Sequence, residues 1–182
     1  MSRLYLVRHG RAEAQFGEAA DPGLDEVGHG QAEAVMRKFG EMKPIAILTS
    51  PLLRARQTAE PLARHWGVEP IREEAVAEIP APGGDLAERA LWLKEFMAWS
   101  WRDAPARLES WRNNIVSALL CRKEDTVIFS HFITINAALG AAAGDDRVVV
   151  FKPDNGSVTV LDAADGVLTL IGRGREASTQ VM

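Results

Sequence analysis

The chain has 182 residues, of which 47% are hydrophobic and 25% are charged, and its formal net charge is −4. This composition is typical of one globular domain over residues 1–182, whereas the negative charge disfavours nucleic acid as a partner. The single cysteine excludes an internal disulfide, and no apolar run approaches the roughly 20 residues of a membrane span, so we expect a cytoplasmic protein without a membrane partner.

The first predicted element is a short apolar strand that ends in Arg8, His9 and Gly10. A continuous apolar run of this length is typical of a buried parallel strand. Ligands of open α/β sheets bind just beyond the carboxyl ends of the strands, so Arg8 and His9 would face such a ligand. Gly10 has no Cβ atom, which would let the backbone turn sharply and let a ligand come close. The alternative is a strand that merely happens to end in polar residues.

The same arrangement recurs at two further apolar runs. Residues 45–49 end at Ser50, and a helix with Arg54 in its first turn follows, while residues 126–130 are followed directly by His131. If the three strands are parallel neighbours, one edge of the sheet collects two guanidinium groups and two imidazoles: Arg8, His9, Arg54 and His131. Arginine binds phosphate through paired, charge-assisted N–H bonds, so this edge is predicted to bind a compact dianion.

Two helices are predicted next to these strands. Asp25 is a plausible N-cap for the first, which should end near residue 40, and the second should extend over residues 52–66. His29 and His65 lie on these helices. We interpret His29 as a solvated helix residue. His65 suits the dipole near the C-terminal end of its helix and needs no catalytic explanation.

A helical insertion is predicted over about residues 80–122, with helices at 85–101 and 104–122. The first helix carries one aliphatic and one aromatic stripe: Leu86, Ala90, Leu93 and Met97, and Trp92, Phe96 and Trp99. Because large exposed apolar patches are rare, one stripe should pack on the core and the other should meet a neighbour, a ligand or a second subunit. The tryptophans therefore indicate core packing, an apolar cap over the site, or a homodimer interface. Cys121 is predicted to pack in the core.

The last third of the chain is predicted to contain a small-residue helix over residues 132–143 and a strand over 148–151. An antiparallel hairpin of residues 157–161 and 167–171 should follow a tight turn at Asn155. The polar residues from 172 onwards are expected to form a mobile tail. Together the elements predict an α/β fold, a three-layer α/β/α sandwich with a mostly parallel central sheet and the helical insertion.

Four segments form a recognisable set: Arg8-His9-Gly10; Ser50-Pro51-Leu52-Leu53-Arg54-Ala55-Arg56-Gln57-Thr58-Ala59; Ser130-His131; and residues 21–32, which are similar to a Leu-Thr-x-x-Gly-x-x-Gln-Ala stretch. Together they resemble the histidine phosphatase superfamily, also called the phosphoglycerate mutase-like family. The resemblance extends from about residue 3 to His131, with a weaker echo near Asn155. It implies the same sandwich fold and a phosphoryl-transfer activity.

The resemblance and the residue types imply a nucleophile with supporting groups. His9 would attack phosphorus as a neutral imidazole, with a backbone acceptor on Nδ1–H directing Nε2 at the substrate. Arg8 and Arg54 would hold the phosphoryl oxygens and balance the charge of the transition state. A protonated His131 would donate a further hydrogen bond to the transferring group. These roles require neither a metal nor a cofactor.

The resemblance also implies a general acid just before a loop, and Glu78 is the best match, with Glu73 and Glu74 as alternatives. If protonated, this residue would donate a proton to the leaving oxygen. Two further residues are predicted to contact the substrate. Gln15 lies where the family often has an asparagine that touches phosphate, and Phe132 stands where the family usually has glycine, which puts a bulky ring near the pocket mouth.

The sequence therefore predicts a metal-independent phosphomonoesterase that acts through a phosphohistidine on a small phosphorylated metabolite. Within the family, the alternatives are a cofactor-dependent phosphoglycerate mutase and a protein phosphohistidine phosphatase. The short chain disfavours the mutase, as does Ala12, which replaces a hydroxyl residue common in the mutases. From another class, the chain could be a phosphate-binding module without catalysis, which the intact set of two arginines and two histidines disfavours.

Overall fold

The computed structural model describes residues 1–14 and 18–177, and these contain a six-stranded mixed sheet. The strands in chain order are β1 (Ser2–Arg8), β2 (Ala46–Thr49), β3 (Ile71–Arg72), β4 (Thr126–Ser130), β5 (Val158–Ala164) and β6 (Val167–Gly172). Their order across the sheet is β3-β2-β4-β1-β5-β6. The first four strands are parallel, whereas β5 and β6 form the predicted antiparallel hairpin.

The three strands that precede the candidate residues are parallel neighbours, which confirms the sequence prediction. β4 lies between β1 and β2. Arg8 of β1 is level with Ser130 of β4, and Thr49 of β2 is level with Phe129. The carboxyl ends of the three strands therefore reach one edge of the sheet within about one residue of each other.

The helices complete the two outer layers: α1 (Glu26–Phe39), α2 (Leu53–Trp66), α3 (Leu86–Phe96), α4 (Ala106–Leu120) and α5 (Phe132–Ala143). α1 and α2 pack on one face of the sheet, against Val7, Val127 and Phe129. α4 and α5 pack on the opposite face, against Leu6 and Ile128. Side chains that alternate along β1 and β4 thus produce the predicted three-layer sandwich. Among the described residues, we find no helix with the length and apolar character that crossing a membrane requires.

Capping groups explain where several helices begin and end. Asp25 accepts the N–H of Gly28 at 2.7 Å, so α1 begins where the sequence predicts. At the start of α3, the side chains of Asp85 and Glu88 each accept the other residue's backbone N–H, which is a capping box. α2 ends at Gly67, which adopts a left-handed conformation with φ of 66°.

The insertion differs from the sequence prediction in its middle. α3 ends at Phe96 instead of continuing to residue 101. The N–H of Trp101 donates to the carbonyl oxygen of Asp146 at 2.8 Å, and the N–H of Val148 donates to that of Trp99 at 3.0 Å. These bonds join the segment after α3 to the loop after α5. A continued helix would carry this segment away from that loop, so α3 ends earlier than predicted.

The aromatic stripe of α3 packs inward. Trp92 stacks on the buried Phe96 with ring centroids 5.2 Å apart, and Phe96 meets Trp101 edge-on. Trp101 stacks in turn on Trp111, and all four rings join the core beneath the insertion. Core packing is therefore confirmed for three of the tryptophans, whereas Trp99 is 38% exposed. The homodimer interface stays a prediction.

The strand predicted over residues 148–151 is wrong. This segment is a loop, because the side-chain oxygen of Asn136 accepts the N–H groups of Val150 at 2.7 Å and Phe151 at 3.0 Å. Asn136 lies on α5 and is fully buried. Backbone donors that a strand would offer to a neighbouring strand are thus used by one amide side chain.

Two further predictions near the ends of elements are wrong. Cys121 is exposed at the C-terminal end of α4, one residue beyond the helix, instead of packing in the core. Residues 173–177, expected in a mobile tail, return to residues 152–154 through backbone hydrogen bonds. The rest of the predicted tail, 178–182, lies outside the described residues.

Candidate active site

The carboxyl edge of the sheet opens into a cavity of about 380 Å³. Arg8 ends β1, His9 follows it, and Arg54 lies in the first turn of α2; all three line the cavity. His131 follows β4 and is fully buried, with its ring centroid 5.1 Å from that of His9. It contacts the His9 ring without lining the cavity. We call these four residues the phosphate floor, and the structure brings them together as the sequence predicts.

His9 is held in one orientation by two hydrogen bonds. Its Nδ1 lies 2.7 Å from the carbonyl oxygen of Gly10, and its Nε2 lies 3.2 Å from Nε of Arg54. A carbonyl oxygen only accepts and a guanidinium only donates, so Nδ1 carries the proton and Nε2 carries the lone pair. This tautomer has the backbone acceptor on Nδ1–H that the sequence analysis requires of a nucleophile.

Burial and charge both keep the His9 ring neutral. Burial lowers the pKa of His9 well below its ordinary value, and the positive charges of Arg54 and Arg8 lower it further. The hydrogen bond to Gly10 raises the pKa but is the smallest of these effects. The lone pair on Nε2 is therefore available at neutral pH.

Gly10 is required by the packing of α1. A Cβ atom at this position would lie 2.6 Å from the carbonyl oxygen of Gly28 in the first turn of α1. The N–H of Gly10 donates to Oγ1 of Thr58 at 2.9 Å, and that hydroxyl donates to the carbonyl oxygen of Arg54 at 2.7 Å. The missing side chain thus lets α1 and α2 pack against the turn that carries His9. The sequence analysis explained Gly10 by the close approach of a ligand, whereas the structure explains it by the packing of these helices.

Arg8 is anchored by a carbonyl oxygen and an aromatic ring. Its Nη1 donates to the carbonyl oxygen of Pro153 at 2.8 Å, and its Cζ lies 5.1 Å from the ring centroid of Phe132. Burial lowers the pKa of Arg8 to about 10, and the charges of Glu78 and Asp154 oppose that shift. The guanidinium therefore remains charged at neutral pH. Its buried Nε makes no hydrogen bond within the described residues, which leaves a donor for a ligand.

His131 is neutral for the same reasons as His9. Burial lowers the pKa of His131 well below its ordinary value, and the neighbouring positive charges, that of a protonated His9 first, act in the same direction. Nε2 lies 2.7 Å from Oγ of Ser50, and the buried Nδ1 has no partner in the part of the chain that the structure describes. A neutral imidazole donates one hydrogen bond, and the charge of a phosphate dianion would favour the second proton that the predicted role requires.

Glu78 is the acidic residue that the structure places at the cavity. Its Oε1 accepts the N–H of Ile79 at 2.9 Å, and its Oε2 accepts the N–H of Ile133 at 3.4 Å. Burial raises the pKa of Glu78, against these hydrogen bonds and the charges of Arg54 and Arg8. A raised pKa favours the protonated carboxyl that a general acid needs.

Glu73 and Glu74, the other two acidic candidates, lie away from the cavity. Glu73 accepts the N–H of Ala75 at 3.1 Å and thereby caps a short 3₁₀ turn, Glu74–Val76. Glu74 is exposed, and neither carboxylate lines the cavity. Among the three candidates, the geometry therefore favours Glu78.

A second wall of the cavity is formed by one face of α3. Leu86, Arg89, Leu93 and Met97 follow one another at intervals of three or four residues, which places them on the same side of the helix, and all line the cavity. We call these four residues the α3 wall. The aliphatic stripe of α3 thus faces the cavity, while its aromatic stripe packs on the core. The sequence analysis predicted two such faces without showing which one faces the site.

The structure places one of the two predicted substrate contacts. Phe132 lines the cavity beside Arg8, with only 5% of its surface exposed. Gln15 lies outside the described residues. Four alanines and a proline from the loop between β1 and α1 also line the cavity. Within the described ranges, no group of three or more His, Cys, Asp or Glu side chains is placed to hold a metal ion.

Two positioning residues were not identified from the sequence. Nδ2 of Asn155 donates to the carbonyl oxygen of His9 at 2.9 Å, and Asn155 also lines the cavity. Thr58 joins the backbone of Gly10 to that of Arg54. Both act on backbone atoms, so no side-chain pattern shows their role. Their positions gave a partial signal, since Asn155 lies in a predicted turn and Thr58 in a recognised segment.

Comparison with known proteins adds independent information. The sequence model of the histidine phosphatase superfamily (branch 1) matches residues 4–174 of this chain. A 2,3-bisphosphoglycerate-dependent phosphoglycerate mutase of Brucella melitensis is 30% identical, over 79% of this chain and 83% of the mutase. Phosphoserine phosphatase 1 of Hydrogenobacter thermophilus is 26% identical, over 88% of this chain and 86% of that enzyme.

A solved structure shows the same fold. A mycobacterial glucosyl-3-phosphoglycerate phosphatase superposes with a TM-score of 0.74, over 97% of this chain and 100% of that chain, at 20% sequence identity. The family match covers nearly the whole described sequence and includes every residue of the phosphate floor. Sequence match, fold and site geometry agree. This chain belongs to the histidine phosphatase superfamily.

Proposed function

We propose that this chain is a metal-independent phosphomonoesterase that acts through a phosphohistidine on a small phosphorylated metabolite. The observation that carries the proposal is the orientation of His9. Its Nδ1–H is held by the carbonyl oxygen of Gly10, so the lone pair on Nε2 is presented beside Arg54. A nucleophile oriented by a second group is the usual arrangement in covalent catalysis.

The reaction would proceed in two displacement steps. Nε2 of His9 attacks phosphorus, the ester P–O bond breaks, and the leaving oxygen takes the proton of Glu78. Water then attacks phosphorus, the P–N bond breaks, the carboxylate of Glu78 takes the proton of the water, and inorganic phosphate leaves. Splitting one difficult displacement into two lowers each barrier.

The arginines would supply the positive charge for both steps. Arg54 donates Nε–H to Nε2 of His9, and substrate binding would divert this N–H to a phosphoryl oxygen and free the lone pair. Arg8 has an unused buried donor at Nε. Preorganised donors in a site shielded from water stabilise developing charge without reorganisation, which is the task that metal ions share in other phosphoryl-transfer enzymes.

A phosphoglycerate mutase is the second candidate, because a relative of that name is 30% identical over most of this chain. Phosphatase and mutase share the first step. They differ in the acceptor of the phosphoryl group, which is water in the phosphatase and a hydroxyl group of a bound acid in the mutase. The ratio of inorganic phosphate to transferred phosphate at steady state distinguishes them, and we expect hydrolysis to dominate.

A protein phosphohistidine phosphatase and a binding module without catalysis have less support. The α3 wall lines the cavity beside the phosphate floor, and a volume of about 380 Å³ suits a small-molecule substrate. A binding module would leave unexplained why the His9 ring is oriented with an unprotonated Nε2 beside Arg54. Measured turnover of p-nitrophenyl phosphate would exclude a binding module without catalysis. The cytoplasmic location stays a prediction.

Rapid-quench labelling with a radiolabelled alkyl phosphate tests the proposal. In the presence of EDTA, the wild type and the control His29→Ala should form a labelled protein that is stable in alkali and labile in acid, as phosphohistidine is. His29 is exposed on α1, outside the cavity. His9→Ala should form no labelled protein. Label on His9→Ala, an acid-stable adduct, or a requirement for added metal would overturn the proposal.

A further inference from the structure

We propose that Arg89 forms a second anion subsite in the cavity, which binds an oxyanion on the leaving alcohol of the substrate. This inference rests on the proposed phosphatase function and narrows its substrate class. The preferred substrate would be a phosphomonoester whose alcohol carries a carboxylate or a second phosphate beyond an apolar stretch.

The position of Arg89 is unusual for a charged residue. It lies three residues after Leu86 and four before Leu93, so it shares the apolar, cavity-lining face of α3. On an amphipathic helix, charged side chains normally occupy the opposite, exposed face. Lys94 follows that rule: it is exposed and does not line the cavity.

Arg89 also has no partner. Its Nε is shielded from solvent and makes no hydrogen bond, and its guanidinium forms no ion pair within the described residues. Four other arginines with largely exposed side chains are paired with aspartates: Arg3, Arg102, Arg147 and Arg175. Nε of Arg56 and Nε of Arg122 are also without a partner within the described residues, but neither residue lines this cavity. Arg89 combines an unused donor with a position on the cavity wall, where a ligand could supply the acceptor.

The neighbouring carboxylates are used by other groups. Glu88 accepts the N–H of Asp85 in the capping box at 2.9 Å. Glu78 accepts two backbone N–H groups, and the positive charges that act on it are those of Arg54 and Arg8. Arg89 is therefore separate, both in contacts and in electrostatic effect, from the groups that would hold the transferring phosphate.

The chemistry of the ligand follows from these surroundings. A guanidinium binds a carboxylate or phosphate through two parallel N–H bonds, and only an anion also balances its charge. An alcohol that leaves the phosphate floor along the α3 wall would place apolar atoms against Leu93 and Met97 and its own anion at Arg89. If the alcohol were neutral, the guanidinium of Arg89 would have no counter-charge when the substrate is bound.

A matched pair of substrates tests the subsite: butyl phosphate and its ω-carboxylate analogue, which differ by one charged group. The wild type should have the higher kcat/KM on the carboxylate. Arg89→Met keeps an apolar stem of similar length and removes the charge. It should lower kcat/KM on the carboxylate by about tenfold to a hundredfold, as expected for one charged hydrogen-bonded pair, and so should remove most of the preference for the carboxylate over butyl phosphate.

A matched control on the same helix is Lys94→Met, which removes one positive charge outside the cavity and should not alter the preference. The bisphosphate of butanediol serves as a third substrate, and its kcat/KM relative to the carboxylate identifies which oxyanion fits. Arg89→Lys keeps the charge without the planar fork and should lose about threefold to tenfold on the anionic substrates. This variant supplies the test if Arg89→Met does not fold.

The outcomes separate this inference from the proposed function. If Arg89→Met lowers kcat/KM equally on butyl phosphate and on its carboxylate analogue, or does not lower it on the carboxylate, the Arg89 subsite is overturned. Phosphoenzyme formation by the wild type would still support the phosphatase. Failure of the wild type to form any phosphoenzyme would overturn the proposed function itself. A preference for the carboxylate that disappears in Lys94→Met as well as in Arg89→Met would assign the effect to overall charge and overturn the subsite.

Discussion

The phosphate floor and the α3 wall border the same cavity but differ in how they are built. In the floor, His9 and Arg54 are 8% exposed and His131 is 0% exposed. His9 bonds to Arg54 and to a backbone carbonyl, and His131 bonds to the hydroxyl of Ser50. In the wall, the side chains are half-buried and mostly apolar, and Arg89 has no partner within the described residues. Hydrogen bonds thus orient the side chains of the floor before a substrate arrives, with Nε of Arg8 left as a donor, whereas none is recorded for Arg89 in the wall. If the proposed function is right, we expect the floor to perform the reaction and the wall to select the alcohol.

The two regions also depend on different parts of the fold. The floor lies at the ends of β1 and β4 and at the start of α2, where adjacent strands hold each residue in register. Sites on rigid elements keep the tight geometry that catalysis requires. α3 has one fully buried residue, Phe96, while Trp92 and Leu93 are only partly buried against the core. Substitutions in the wall should therefore change selectivity without disturbing the floor.

The largest effect is expected from His9→Ala, which removes the floor's nucleophile. Loss of the covalent route should lower kcat by about 10⁴-fold or more, since each factor of ten corresponds to about 1.36 kcal/mol of barrier. The fold should survive, because His9 contributes little to the apolar core. Steady-state kinetics and thermal unfolding are measured together, with His29→Ala as the control. Activity within about tenfold of the wild type would contradict the nucleophile assignment.

The next largest effect is expected from Glu78→Gln, and it should depend on the leaving group. The amide keeps the shape of the carboxyl but cannot deliver a proton. Hydrolysis of alkyl phosphates should slow by about 10² to 10⁴, the usual range for general acid–base catalysis. p-Nitrophenolate is a stable anion and needs little protonation, so phosphoenzyme formation from its ester should slow far less.

Single-turnover rates on the two esters are the measurement, because Glu78 could also activate water in the second step. Equal slowing on both substrates would mean that Glu78 acts through position or charge. No slowing on either would contradict the role of Glu78 in both steps. Glu73→Gln is a suitable control, since that carboxylate caps a 3₁₀ turn outside the cavity.

The floor was predictable from the sequence because its residues directly follow strands, and the carboxyl ends of parallel neighbouring strands meet at one edge of the sheet. Apolar runs followed at once by Arg8-His9 and by His131 must deliver those residues to one edge if the strands are parallel neighbours, and they are. Glu78 was harder to assign, because three acidic residues lie within one short segment. Only the backbone path through the 3₁₀ turn separates Glu78 from Glu73.

The wall was only partly predictable. Periodicity showed that α3 has two apolar stripes, but a helix can rotate either stripe towards the core. Their orientation depends on Phe96 and Trp101, which pack against each other in the core. Trp101 in turn is fixed by its backbone bond to Asp146. Asn136 similarly holds the loop at 148–151 through contacts that sequence spacing does not show. Such long-range tertiary contacts override local patterns.

A smaller effect is expected from Leu93→Ala in the α3 wall. Removing apolar atoms that would contact the alcohol should raise KM for an alkyl phosphate by about threefold to thirtyfold, at about 0.8 kcal/mol per buried CH₂ group, and should leave kcat almost unchanged. Leu91→Ala is the matched control, because Leu91 is 60% exposed on the same helix and does not line the cavity. A fall in kcat with constant KM in Leu93→Ala would mean that the wall also positions the reacting groups.

The smallest effect concerns stability and again uses Glu78→Gln. Burial raises the pKa of Glu78 in the folded protein, so the folded state holds this proton more tightly than the unfolded chain does. The stability that this proton contributes is complete below the unfolded pKa of about 4.3 and is lost as the pH rises through the folded pKa. Glutamine is neutral at every pH and avoids the loss.

Glu78→Gln should therefore gain stability over the wild type as the pH rises from about 4 to about 8, by an amount on the order of 1 kcal/mol. Urea unfolding at several pH values measures the difference, with Glu74→Gln, at an exposed position, as the control. A constant difference between Glu78→Gln and the wild type would contradict the raised pKa. A growing difference, in a variant that hydrolyses alkyl phosphates slowly, would show that the cavity keeps a destabilising acid for its chemistry.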